Sequence, residues 1–274
     1  MSGLGWLAAS STATWGIFHG GYAGSFVALV LFAVIVYVMI QRARGGAPMR
    51  QIHQLPGLDA IDESIGRATE MGRPAIFVMG IGIVNDPQTI TSFPVLAHVA
   101  SQCARYDTRL IQPNYDPVVF AVNEQVVRES YLEAGRPDAF NPDDVRFVTN
   151  DQFGFAGAVW QIMQKEQPAA TILYGDFYAE SMMMAEMAGI IESVSVGATA
   201  NVAEIPFFMV SCDYCLIAEE MYAASAYLSK EPVLTGTIVG EDYYKFILFA
   251  IIIIGAIWSS VGAGHNGITT FFNL

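Results

Sequence analysis

Both ends of this chain lack charge. No Asp, Glu, Lys or Arg precedes Arg42 or follows Lys245, so all 13 basic and all 26 acidic residues, and the whole net charge of −13, fall between those two positions. Basic residues are scarce even there, which excludes nucleic acid as a partner, because its binders need a basic face. The same acidity provides no charge attraction to anionic lipid headgroups. Cysteine is scarcer still: Cys103, Cys212 and Cys215 are too few for a disulfide framework and suit a reducing compartment. Histidine occurs four times, at 19, 53, 98 and 265. None stands at a family spacing from a Ser, Cys or Asp partner, so a hydrolase triad has no support and no residue is assigned as catalytic.

What the ends have instead is apolar sequence. Ala23–Ile40 carries no charge, and its core FVALVLFAVIVYVMI is almost wholly hydrophobic; FILFAIIIIGAIWSSVGA, from Phe246 to Ala263, is a second such run. A bilayer core of about 30 Å needs about 20 apolar residues in a helix, so both runs are read as transmembrane helices, over 23–41 and 246–263. Arg42, Arg44 and Arg50 follow the first run and Lys245 precedes the second, while the outer flanks carry no Lys or Arg. The positive-inside rule then places residues 42–245 in the cytoplasm, under a cell membrane, with both termini outside. A cleaved signal peptide is not expected, since its basic residues would precede the apolar run. The tails 1–22 and 264–274, with Trp6, Trp15, Phe18 and Tyr22 in front and Phe271 and Phe272 behind, read as segments lying at the outer lipid headgroups.

Between the runs, short hydrophobic stretches alternate with helix-length ones. Pro74–Gly80, Thr108–Pro113, Val145–Asn150, Thr171–Gly175, Ser193–Ala198 and Pro206–Cys212 read as strands, while Val118–Ala134 and Phe155–Lys165 carry apolar residues at helical spacing. This alternation predicts a single α/β domain with a mostly parallel, doubly wound, Rossmann-like sheet. Glu70-Met-Gly-Arg-Pro74 and Glu133-Ala-Gly-Arg-Pro137 repeat one helix-ending pattern, a Gly able to turn left-handed followed by a Pro that stops the helix, which hints at two related halves.

Ligands of such sheets bind beyond the carboxyl ends of the strands. The candidate binding residues are therefore those after the expected strands: Gly80, Gly82, Asn85 and Asp86, then Asp151, then Asp176 with Glu180 one turn on, then Asp213. Such carboxylates hold a divalent cation or position a polar ligand; alternatively each Asp simply caps the helix that follows. Gly80-x-Gly82 matches two of the three glycines of a dinucleotide fingerprint, with Asn85 in the third place. Cys212-Asp-Tyr-Cys215 has redox spacing, but it lacks flanking Trp and Pro, and no second pair completes a zinc site. Met182, Met183, Met184 and Met187 cluster on one expected helix, for packing or for an adaptable protein contact. No motif assigns a cofactor or a metal.

Several local strings are shared with a known domain type. Ala134-Gly-Arg-Pro-Asp138, Asp151-Gln-Phe153, Ala179-Glu-Ser181, Pro206-Phe-Phe208, Cys212-Asp-Tyr214 and Ala223-Ala-Ser-Ala-Tyr-Leu-Ser229 with Glu231-Pro232 resemble an uncharacterised, membrane-associated prokaryotic family of unknown function. The resemblance spans roughly Gln54 to Ile257 and implies no activity, cofactor or catalytic residue. Two functions are expected from the whole. The first is a membrane-anchored, oligomer-forming scaffold, homo-oligomeric or paired with a paralogue, with Gly255, Gly262 and Gly264 as close-packing points. The second is a membrane-bound enzyme or sensor that holds a small polar ligand or divalent metal at the Asp-rich strand ends.

Overall fold

The computed structural model describes residues 23–45 and 56–260. They belong to two compact units, one made by the helices at the two ends and the other within residues 51–231. The expected tails 1–22 and 264–274 lie outside the described residues, as do Arg50, His53 and Gly262.

In the larger unit, α2 (Pro56–Met71) leads into six parallel strands: β1 (Ala75–Gly80), β2 (Leu110–Asn114), β3 (Val145–Phe147), β4 (Ala170–Asp176), β5 (Val194–Thr199) and β6 (Tyr214–Ile217). Their order across the sheet is β3-β2-β1-β4-β5-β6, so the chain winds outward from the centre twice, in opposite directions. The connecting helices divide accordingly. One core packs α2, α3 (Pro87–Tyr106), α4 (Pro117–Glu133) and α8 (Glu219–Ser229) on one face, around Phe77, Leu96, Tyr174 and Met221. The other packs α5 (Gln152–Glu166), α6 (Glu180–Ile190) and α7 (Ile205–Ser211) on the opposite face, around Val78, Phe155, Leu173 and Phe208. With both faces covered, β1, β2 and β4 are buried at every position, which is why β1 and most of β4 read as hydrophobic runs, while β2 buries Gln112 and Asn114 as well. The repeated Gly-Arg-Pro pattern ends α2 and α4 as expected. Gly72 (φ 63°) and Gly135 (φ 76°) are left-handed, and the next N–H in each case bonds back into the last helical turn, Arg73 to Ala68 O and Arg136 to Tyr131 O.

One expected strand is a helix. Pro206–Cys212 falls in α7, and the sixth strand is the next segment, Tyr214–Ile217. A short apolar run has no periodicity that separates strand from helix, and Pro206 in the first helical turn needs no backbone N–H there. Only Phe208 of α7 is buried; Phe207, Met209 and Val210 face outward, Val210 with 89% of its surface exposed.

The smaller unit pairs α1 (Ala23–Arg44) with α9 (Pro232–Ser260). The two run antiparallel. A Cβ added at Gly236 would lie 2.7 Å from Ile40 Cα, one at Gly240 3.0 Å from Val36 Cα, and the Phe32 and Tyr244 rings meet edge-on at 4.9 Å. Gly236-Thr-Ile-Val-Gly240 therefore sits where small residues four apart let helices approach closely, a role expected instead of Gly255, Gly262 and Gly264. Among the described residues one helix, Phe26–Arg44, is long and apolar enough to cross a membrane, with mean hydropathy 2.3 and none of it buried. The expectation of a second such helix is not met over the described part of α9, where Glu241, Asp242 and Lys245 precede the apolar run and positions 261–263 are not described.

Candidate functional site

At the centre of the sheet β1 and β4 are neighbours, yet the chain leaves β1 for α3 on one face and β4 for α6 on the other. This divergence opens a crevice at the carboxyl edge, the switch point where doubly wound sheets bind ligands. The two backbones interlock there. Ile81 N donates to Asp176 O at 2.9 Å across an irregular register. Gly80 is left-handed (φ 77°), and a Cβ on it would stand 1.9 Å from Asp176 O, so no other residue fits. Gly82 is held open for a different reason: its Cβ would meet the Thr89 hydroxyl at 2.3 Å and Asp176 Cβ at 3.1 Å. The glycine pair is thus explained by β1–β4 packing and by α3.

Asp86 caps α3, its Oδ1 accepting from Gln88 N at 2.8 Å. Asp176, buried at the end of β4, accepts from Gln88 Nε2 at 3.0 Å, while Gln88 Oε1 accepts from Ala200 N at 2.7 Å and Thr199 Oγ1 at 3.2 Å. One glutamine thereby ties the ends of β4 and β5 to the start of α3. Burial, then the nearby Asp86 and Glu180 charges, push the Asp176 carboxyl up to about 6, and the Asp86 carboxyl lies within hydrogen-bonding reach of it. Two tyrosines feel the pair. The Asp176 charge raises the Tyr178 hydroxyl above its ordinary range; burial, then Asp86 and Asp176, raise Tyr222 on α8. Beside Gly82 the wholly buried Thr89 hydroxyl has no hydrogen-bond partner.

The remaining candidates are engaged elsewhere. Glu180 is fully buried and accepts from Gln152 Nε2 at 2.5 Å and Tyr178 N at 2.9 Å. Asp151 is exposed, two strands from β1, and caps α5 through Gly154 N at 2.6 Å. Asn85 is exposed on the loop before Asp86. Asp213 precedes β6 and stands at the opposite, amino edge of the sheet, because the strand expected before it is α7; it binds Ser195 N at 2.8 Å and Ser195 Oγ at 2.9 Å near the start of β5. Four strand-end aspartates were expected and only Asp86 and Asp176 converge. Gln88, Thr89, Tyr178 and Tyr222, absent from the sequence-based set, complete the site; Gln88, Thr89 and Tyr178 carried a hint in their closeness to Asp86 and Asp176 along the chain, and Tyr222 none.

Other chemistry is sparse. Among the described residues no group of three or more His, Cys, Asp or Glu is placed to hold a metal ion. The Cys212 thiol hydrogen-bonds Cys215, which lowers Cys215 and, with burial, raises Cys212; Cys215 Sγ also donates to Phe208 O at 3.2 Å. His98 pairs with Asp62 at 2.6 Å on the outer face of α3 and α2. A cavity of about 280 Å³ opens at the amino edge beside β2, but its charges are matched: Arg109 grips Asp144 with two nitrogens and reaches Glu166 at 2.7 Å. The phosphate place of a dinucleotide site, the N-terminus of α3, is occupied by the Asp86 carboxylate with Asp176 behind it, so a phosphate would face two negative charges.

No curated protein and no solved structure matches the chain. Residues 13–270 match a family described as a domain of unknown function, DUF6754, and the chain belongs to that family.

Proposed function

We propose that this is a membrane-tethered, Rossmann-like binding domain whose ligand sits in the crevice between β1 and β4. The observation that carries the reading is the meeting of Asp86 and Asp176 at the switch point, with the unpartnered Thr89 hydroxyl beside them. Buried polar groups are ordinarily satisfied, and like charges drawn together at a strand end destabilise the empty fold, so the arrangement makes physical sense where a ligand completes it. The test is mass spectrometry of small molecules released from the purified full-length chain. A compound retained by wild type and lost from Asp176→Asn supports the reading; identical extracts from both remove it.

The tether is α1. Its apolar side chains are unburied, unlike those of a core helix. The run Phe246–Ile254 on α9 is likewise largely exposed, which supports a second span over 246–263 beside the first over 23–41. Arg42, Arg44 and Lys245 at the inner ends orient residues 42–245 to the cytoplasm and both tails outward, and the antiparallel course of α1 and α9 suits termini on one side. Labelling of Ser2→Cys and Asn273→Cys from outside intact cells checks this; failure at both sites overturns it.

A second reading, an oligomeric scaffold, is favoured by the apolar surface of α7. Phe207, Met209 and Val210 are exposed there, with Val202 (80% exposed) and Tyr214 close in sequence, flanking the open edge of β6. Surfaces of this kind mark protein contacts. Mass measurement in mild detergent showing only monomer would discard it.

A further inference from the structure

Two adjacent carboxyl groups need something positive between them. Asp86 and Asp176 flank one point, their Cβ atoms 3.6 and 3.1 Å from where a Cβ on Gly82 would fall, and each already spends an oxygen on Gln88. A third acceptor is at hand. Thr89 Oγ1 is fully buried, has no partner, and lies where a Cβ on Gly82 would fall, with Asp176 Cβ and Asp86 Cβ around the same point. Such a hydroxyl is kept at a cost that a donor from outside would remove.

We infer that the crevice takes an organic cation bearing a primary ammonium group, its three N–H donors shared among Asp86, Asp176 and Thr89 Oγ1. This rests on the crevice being the binding site proposed above. A primary ammonium is a compact point charge with three donors and no acceptor, and it matches three acceptors on a small arc. The competing classes fit less well. A divalent cation prefers more oxygen ligands than two carboxylates supply, and no third such group joins them among the described residues. An anion is repelled. The surroundings suit an organic cation over a bare ion: Tyr178, on the loop after β4, and Tyr222, on α8, lie within electrostatic range of the pair and bring aromatic side chains to its neighbourhood.

Ammonium and proton compete for one place. With Asp176 titrating at about 6, affinity at pH 5 falls about tenfold from its value at pH 7.5. The experiment is calorimetric titration of the full-length chain in detergent with putrescine, agmatine and lysine methyl ester, and with magnesium chloride and NAD as comparison probes. The expected result is amine binding at pH 7.5, weakened about tenfold at pH 5, abolished in Asp176→Asn and unchanged in Asp151→Asn. Asp86→Ser, which preserves the helix cap, serves as a second variant should Asp176→Asn fold poorly, and it too loses amine binding. Amine binding that persists in both variants, or that does not weaken at pH 5, overturns the inference. Magnesium or NAD binding that depends on Asp176, with amines inert, overturns the ammonium while leaving the crevice as a binding site. Silence from every probe, together with identical small-molecule extracts from wild type and Asp176→Asn, sinks both.

Discussion

The Asp86 and Asp176 carboxyl groups, one capping the helix after β1 and the other ending β4, lie within hydrogen-bonding reach of each other, and Gln88 touches both. This relationship links stability to pH in a definite direction. The folded-state pKa of Asp176 stands above its unfolded value, so between about pH 4 and pH 6 the native state holds a proton that the unfolded chain has lost. Stability contributed by the protonated form is complete below the unfolded value and drains away as pH rises through about 6. Asp176→Asn removes that loss. The variant should match wild type near pH 4 and exceed it at pH 7.5 by about 1–2 kcal/mol, a figure reduced from the full shift to allow for solvent screening. Thermal melting across pH 4 to 8 decides; a variant less stable than wild type at pH 7.5 contradicts the ionisation.

Thr89→Val tests the orphaned hydroxyl alone. Replacing an unsatisfied buried hydroxyl by a methyl of the same shape should leave the empty protein as stable or raise it by about 1 kcal/mol. A loss greater than about 1 kcal/mol would mean that the hydroxyl has a partner, such as an internal water.

Gly80→Ala should be severe. The left-handed φ of 77° strains any side chain, and the new Cβ would be driven into the Asp176 carbonyl 1.9 Å away. Both strands are central and fully buried, so neither yields easily. A loss of about 3 kcal/mol or more is expected, read as a fall in melting temperature or as absence of folded protein. Gly72→Ala at the end of α2, where nothing lies within 4 Å, should cost only about 1 kcal/mol from the left-handed φ.

How far the sequence reveals this molecule depends on whether local pattern or tertiary crossing makes each feature. The strands covered on both faces, such as Ile76–Met79 and Ile172–Tyr174, are legible because every position must be apolar. Pro206–Cys212 is not, because a mostly apolar run of seven residues carries no period, and its misreading moves Asp213 from one edge of the sheet to the other. The site divides similarly. Asp86 and Asp176 are visible as polar residues that end apolar runs. Gln88 acquires its role only because β4 and β5 return beside α3, and Tyr222 only because α8 comes back to the same face 136 positions after Asp86. The α1–α9 pair shows the same limit: apolar length marks out α1, whereas Gly236 and Gly240 become meaningful once Ile40 and Val36 are seen against them.

The α1–α9 pairing gives a geometric prediction. Phe32→Cys with Tyr244→Cys should be bridged by a bifunctional thiol reagent long enough to replace the two rings, which meet edge-on at 4.9 Å. Gly236→Leu should suppress it, because the added side chain would enter the Ile40 backbone. Crosslinking undiminished by Gly236→Leu would show that the close approach at Gly236 does not hold the hairpin.

The last prediction separates the binding and scaffold readings, because the surfaces they use do not overlap. Val210, 89% exposed on α7, contributes nothing to the core, and the only buried side chain of that helix is Phe208. Val210→Glu should therefore change the melting temperature little, within about 0.5 kcal/mol of stability. If copies assemble through this face, a charge at its centre is desolvated on contact without a partner, which costs several kcal/mol and dissociates the assembly. Mass in mild detergent then drops to that of one chain while any amine binding at Asp176 is retained. Conversely, Asp176→Asn should abolish binding and leave the mass unchanged. A Val210→Glu protein of undiminished mass excludes α7 as the contact and leaves the crevice to carry the function alone.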